Sequence, residues 1–130
     1  MLRTLVKAKI HRATVTQADL NYVGSLTIDL DLMEVCDIVS NEQVHIVNVT
    51  NGHRMVTYAI EGERGSGVMC LNGAAARHGQ TGDLIIVMTF GHFAPEEARV
   101  WKPQIVVVDE RNRPVQVLSG EEHGTIVTRR

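Results

Sequence analysis

Ser25 follows Gly24 directly at the entrance to "LTIDL", where Leu26, Ile28 and Leu30 alternate with Thr27 and Asp29. That period of two marks a half-buried strand, so a hydroxyl nucleophile stands where a turn would be expected to have finished. A plain Gly-Ser turn is the ordinary reading of such a dipeptide alone. In "RMVTY", alternation puts Arg54 and Tyr58 on one strand face and Thr57 on the other unless a bulge or twist re-aims it. A guanidinium fork matches the two oxygens of a carboxylate, and a phenol, protonated at neutral pH, is suited to give a proton to a carbon base. Lys9 and His11 share a face of an earlier strand, and Tyr22 lies close in sequence to Gly24 and Ser25. Two cations, Lys9 and Arg54, suit a substrate with two negative charges. In "CLNGAAARHG", Asn72 reads as a helix cap, and the free N–H groups over Gly73, Ala74 and Ala75 offer an anion site that small side chains leave open. The plainer alternatives are a solvated arginine, strand propensity for Thr57 and Tyr58, and a tightly packed helical turn.

Other chemistry finds little support. The six histidines are scattered, with no helical metal-site spacing. "GERGSG" lacks the Lys-Ser/Thr ending of a phosphate loop. A net charge of −2 and a pI near 6.3 create no general attraction for nucleic acid or anionic membrane, and 4% aromatics leave little to stack bases on. Cys36 and Cys70 form no C-x-x-C and read as buried thiols. "MLRTLVKAKIH" has no apolar core of a signal peptide, and the longest apolar run, Leu84 to Met88, is too short to span a bilayer. The expectation is a cytoplasmic chain with no metal, no membrane and no nucleic-acid partner.

The elements that must position these residues are mostly strands. At 130 residues the chain suits a single domain, residues 1–130, with its own core. Leu2, Thr4, Val6, Ala8 and Ile10 share a face of the first strand, opposite Arg3, Lys7 and Lys9. After the strand from Ser25, the stripe Leu32, Val35, Cys36 and Val39 predicts a helix capped by Asp31, with Glu34 at capping-box spacing. Asn51-Gly52 joins strands Val44–Val49 and Arg54–Ile60. "EGERGSG" reads as a flexible polar loop, Gly82-Asp83 introduces a strand from Leu84 to Phe90, and Pro95-Glu96-Glu97 opens a short helix. Ile105–Val108 and Val115–Leu118 flank a turn, and the tail from Ser119 is polar and loose. Many short strands and few helices indicate a compact β-barrel.

Taken together, "KAKIHRATVT", "ADLNYVGSLTID", "NGHRMVTYAI", "GERGSG" and "CLNGAAAR" closely resemble the bacterial L-aspartate 1-decarboxylases. The resemblance is strong over roughly residues 1–90 and looser beyond, through "VVVDERN". It implies a small double-psi β-barrel, a homotetramer with sites between subunits, and decarboxylation of L-aspartate to β-alanine for pantothenate synthesis. It also implies a covalent pyruvoyl group and no pyridoxal phosphate. By resemblance, the Ser25 hydroxyl attacks the Gly24 carbonyl, and the ester eliminates to leave chains 1–24 and 25–130, the second capped by pyruvoyl. A glycine at position 24 would leave that attack unobstructed and tolerate unusual dihedrals. A maturation factor is one further partner to consider.

The resemblance further implies that the substrate amine condenses with the Ser25-derived carbonyl as a Schiff base and that Tyr58 donates the proton. Thr57 is implied both in self-cleavage, through a developing oxyanion, and in substrate binding. Lys9, Arg54 and Asn72 to Ala75 are implied substrate contacts, with His11 and Tyr22 placed nearby. Two other functions fit less well: a non-catalytic β-barrel binding module whose Gly24-Ser25 bond stays intact, and a pyruvoyl decarboxylase for another amino acid.

Overall fold

The computed structural model describes residues 1–126. In chain order its elements are β1 (Arg3–Thr14), β2 (Gln17–Asp19), β3 (Ser25–Asp29), α1 (Leu30–Cys36), β4 (Gln43–Asn48) and β5 (Arg54–Gly62). There follow β6 (Met69–Asn72), a 3₁₀ turn (Gly73–Arg77), β7 (Leu84–Phe93), α2 (Pro95–Val100), β8 (Gln104–Val108) and β9 (Pro114–Leu118). The nine strands form a sheet in the order β2-β6-β3-β5-β4-β7-β1-β8-β9. This is the mainly-β fold with a few short helices that the strand-rich sequence predicts. The end of the polar tail, including Arg130, lies outside the described residues.

Alternation determines which faces meet the core. Leu26 and Ile28 of β3, Val44 and Ile46 of β4, and Ile85 and Val87 of β7 are buried, and burial of such side chains is the main stabilising term. In β1 the rhythm holds for Ala8 and Ile10, which are buried, while Leu2 is exposed. Register shifts against β7 fall between Val6 and Ala8 and between Ile10 and Ala13. The second contains Arg12, whose φ of 61° is the local twist of a bulge.

The first helix begins earlier than its apolar stripe suggests. Its N-cap is Asp29, which accepts from the Asp31 N–H at 2.9 Å, and Leu30 is already helical. Asp31 is therefore not the cap; with Glu34 it binds Arg64 instead. Asp37 closes the helix in the left-handed conformation, which leaves Val39 beyond the buried stripe and 62% exposed.

Asp29 also organises what reads in sequence as a flexible loop. Its carboxylate accepts from Gly65 N–H at 3.0 Å and Gly67 N–H at 2.8 Å. Gly67 has a φ of +73°, and a Cβ there would meet the Arg111 carbonyl oxygen at 2.4 Å, so only glycine fits. Asn112, buried between β8 and β9, donates to the carbonyls of Gly67 and Thr14 and accepts from the Thr14 N–H, each at 2.8 Å. The loop is thus fastened on both sides to the strands bearing Ser25 and Lys9.

Burial pushes the Asp29 carboxyl up, but the N–H donors of Gly67, Gly65 and Asp31, with the charge of Arg113, outweigh it and hold its pKa below the ordinary 3.8. A carboxylate whose pKa is depressed by folding contributes stability above its unfolded pKa and loses it as pH falls through the folded value. Asp29→Ala is expected to destabilise the protein by about 3 kcal/mol at pH 7, because buried N–H groups lose their acceptor. The deficit relative to wild type should shrink as pH drops below about 3.8. Urea unfolding at pH 7 and pH ~3 measures both effects.

Candidate active site

Ser25 is fully buried at the first position of β3, between β5 and β6. Its antiparallel partner on β6 is Asn72. On the other side, β3 runs parallel to β5 with Leu26 level with Ala59 and Thr27 level with Ile60. Continuing that register one step back sets Ser25 beside Tyr58, on the same sheet face. Paired strands therefore bring together residues far apart in the chain.

Asn72 does not cap the helical turn as its local sequence suggests: it makes no side-chain capping bond. Buried at the end of β6, it donates from Nδ2 to Ser25 Oγ and to Thr27 Oγ1, each at 2.8 Å. Cys70 Sγ donates to Asn72 Oδ1 at 3.1 Å. Burial and the charge of Asp19 push the Cys70 thiol up, which keeps it protonated at neutral pH. Both Asn72 N–H groups are thus engaged, and the remaining contact of Ser25 Oγ is a long one, 3.4 Å to the Val23 carbonyl.

The glycine that the backbone requires is Gly73. Its φ is +62°, and a Cβ there would stand 2.8 Å from Gly24 N, Gly24 Cα and the Tyr22 carbonyl oxygen. A Cβ on Gly24 would meet only the Asn72 carbonyl oxygen, at an ordinary 3.8 Å, and Gly24 is not among the residues with positive φ. The unusual dihedral expected at Gly24 is therefore found at Gly73, which lets the chain around Gly24 lie directly on the turn. Ala75 is buried in the core and Ala74 is exposed.

Strand β5 supplies three polar side chains that make no side-chain hydrogen bond or ion pair among the described residues: Arg54, Thr57 and Tyr58. Its register against β4 runs without a shift from Arg54 to Tyr58. Thr57 consequently shares the inward face with buried Ala59, and Arg54, Val56 and Tyr58 face outward. Tyr58 is 37% exposed and Val56 53%. Arg54 lines a shallow hollow of about 170 Å³ with His45, Val47 and Val56.

Lys9 and His11 are on β1, which pairs with β7 and β8 and not with β3. Three strands, β5, β4 and β7, separate β1 from β3 in the hydrogen-bonded order. Lys9 Nζ contacts both oxygens of Glu121 at 3.1 Å, and half-buried His11 is level with Val107 of β8. The Tyr22 hydroxyl accepts from Gln17 Nε2 at 3.2 Å. Thr27 and Cys70 were missed by sequence reading; period-2 spacing of Ser25 with Thr27 and of Cys70 with Asn72 was the available signal.

Cys36 and Cys70 are free and buried, and burial pushes the Cys36 thiol up to about 12. Among the described residues no group of three or more His, Cys, Asp or Glu is arranged to hold a metal. No helix among them is long and apolar enough to cross a membrane.

The fold and site define a small mainly-β protein with a buried serine clasped by an asparagine at a strand junction. The chain belongs to the aspartate decarboxylase family, whose pattern matches residues 1–115. It is 57% identical to the aspartate 1-decarboxylase of Acetivibrio thermocellus over 97% of this chain and 100% of that protein. The aspartate 1-decarboxylase of Bacillus cytotoxicus is 56% identical over 98% of this chain and 100% of its own. That of Listeria monocytogenes serotype 4a is 56% identical over 96% and 98%.

Proposed function

We propose that this chain is a cytoplasmic proenzyme that cleaves itself between Gly24 and Ser25 and then decarboxylates L-aspartate to β-alanine, a step toward pantothenate. The carrying observation is the Asn72 amide, which holds the buried Ser25 hydroxyl at 2.8 Å next to a glycine-lined scissile segment. In the cleavage, Ser25 Oγ attacks the Gly24 carbonyl carbon, the C–N bond breaks, and the proton lost from Oγ ends on the nitrogen. The resulting ester loses its Ser25 α-proton to water as the Cβ–Oγ bond breaks, and the Gly24 carboxylate departs with the electron pair. Water then replaces nitrogen, which leaves as ammonia.

A pyruvoyl group at residue 25 fits this environment, since the Asn72 amide already stands at hydrogen-bond distance from the residue 25 side chain. When present, it supplies the electron-withdrawing carbonyl that an amino acid's amine condenses with. Arg54 holds a substrate carboxylate through its fork, and Thr57, Asn72 and the Gly73–Ala75 segment shape the rest of the subsite. Tyr58, on the same sheet face as Ser25, delivers the proton to carbon once CO₂ has left. Thr57 faces inward beside Ala59 rather than toward Ser25 in this chain, and its part in the cleavage rests on membership of the family alone.

The outer face of β5, β4 and β7 carries exposed Val56, Tyr58 and Phe90 around these groups, and apolar surface of that kind favours association. A homotetramer with sites between subunits accounts for it. Light scattering reads that assembly directly.

Intact mass spectrometry tests the cleavage. The purified protein is expected as Met1–Gly24 and a pyruvoyl-capped chain ending at Arg130, whereas Ser25→Ala stays whole because a methyl group cannot attack. An active preparation containing only the intact chain would overturn the proposal.

Arg54→Lys retains the charge but loses the fork. In the processed variant KM for aspartate is expected to rise about tenfold or more, with a smaller change in kcat. Unchanged kinetics would remove Arg54 from the substrate site.

A further inference from the structure

We infer that Thr27 and Cys70 are positioning residues for self-cleavage: together they fix the Asn72 carboxamide so that its N–H points at Ser25 Oγ. The inference rests on the self-cleavage proposed above. Asn72 Nδ2 has two hydrogens, and the structure assigns one to Ser25 Oγ and the other to Thr27 Oγ1, both at 2.8 Å. The opposite end of the amide receives the Cys70 thiol at 3.1 Å. A carboxamide rotated by 180° would place Oδ1 against Ser25 and Nδ2 against sulfur, a weak acceptor. The thiol thus favours one orientation, and Thr27 accepts the hydrogen that this orientation leaves over.

The orientation matters because of where charge develops. Ser25 Oγ becomes the bridging oxygen of the ester. When Cβ–Oγ breaks, that same oxygen carries negative charge as part of the departing Gly24 carboxylate. An N–H already aimed at it stabilises the leaving group without reorganisation. An amide turned the other way would present a carbonyl oxygen to that charge and oppose the elimination. The hydrogen bonds of Ser25 Oγ go to Asn72 and Val23, and those of Thr27 Oγ1 and Cys70 Sγ to Asn72, so the two residues act through Asn72.

The test measures cleavage by intact mass in freshly made precursor and traps ester with hydroxylamine, which releases Met1–Gly24 as its hydroxamate. Thr27→Val and Cys70→Ala remove the partners while nearly preserving shape. Each is expected to slow elimination about 10- to 100-fold and to accumulate trappable ester. Thr27→Ser keeps the acceptor and is expected to cleave within a few-fold of wild type. The Cys70→Ser hydroxyl accepts as well as donates, no longer selects one amide orientation, and is expected to cleave more slowly than wild type. Wild-type cleavage with equally fast Thr27→Val and Cys70→Ala overturns the inference alone. So does cleavage in Thr27→Ser as slow as in Thr27→Val, or in Cys70→Ser as fast as in wild type, which would assign the two residues a packing role. A wild-type chain that never cleaves overturns the self-cleavage reading itself.

Discussion

Tyr58→Phe is expected to cleave at Gly24-Ser25 as wild type does and then to form β-alanine about 10²–10⁴-fold more slowly. The substitution deletes one oxygen that makes no hydrogen bond among the described residues and keeps the ring. Packing of β5 against β3 and β4 should therefore survive. Ser25, by contrast, is fully buried and engaged by Asn72. The two residues consequently fail at different stages, one in turnover and the other in maturation. The measurement is β-alanine formed per processed subunit, with processing quantified by mass. Near-normal turnover in the processed variant would refute the proton-donor role.

The second large effect is expected at Gly73. An alanine there must adopt a φ near +62° and put its Cβ 2.8 Å from backbone atoms of Gly24 and Tyr22. Backbone cannot swing aside as a side-chain tip can, so the scissile segment must shift. A displacement of about 1 Å in reacting groups is enough to cost ~10²-fold in rate, and Gly73→Ala precursor should cleave slower by at least that factor. Gly24→Ala meets only a 3.8 Å contact and should fold with a melting temperature close to wild type. A Gly73→Ala precursor that cleaves at wild-type speed would show that the segment reaches its reactive geometry by moving away from the turn.

The parts of this arrangement legible in sequence are those that local pattern encodes. Alternation in "RMVTY" separates Arg54 and Tyr58 from Thr57, and the bulge that would bring all three to one face is absent from the β5 register. Asn51-Gly52 and "DERN" mark turns that the structure contains. The misread parts depend on partners distant in sequence. Asn72 looks like a helix cap because a helical turn does follow it; only pairing with β3, 47 residues earlier, turns its amide toward Ser25. Asp29 reads as an outward strand residue until Gly65 and Gly67 return to it. Asn112 sits in a turn that reads as solvent-exposed, yet it is buried against Gly67 and Thr14. The three-residue β2 is too short for any period to emerge.

Strand β1 lies inside the sheet, antiparallel to β7 on one side and parallel to β8 on the other. Under the proposed self-cleavage, scission after Gly24 would sever the covalent route from that strand to the rest of the molecule. The mature subunit would then be a complex of two polypeptides in which residues 1–24 supply the interior strand β1 and the short β2. Before cleavage the tether holds β1 at high effective concentration beside its partners; afterwards recapture depends on the concentration of free peptide. Such a cleavage would make assembly history matter. A denatured precursor regains β1 intramolecularly, whereas a denatured mature subunit must find it by collision, and added Met1–Gly24 peptide should speed only the second.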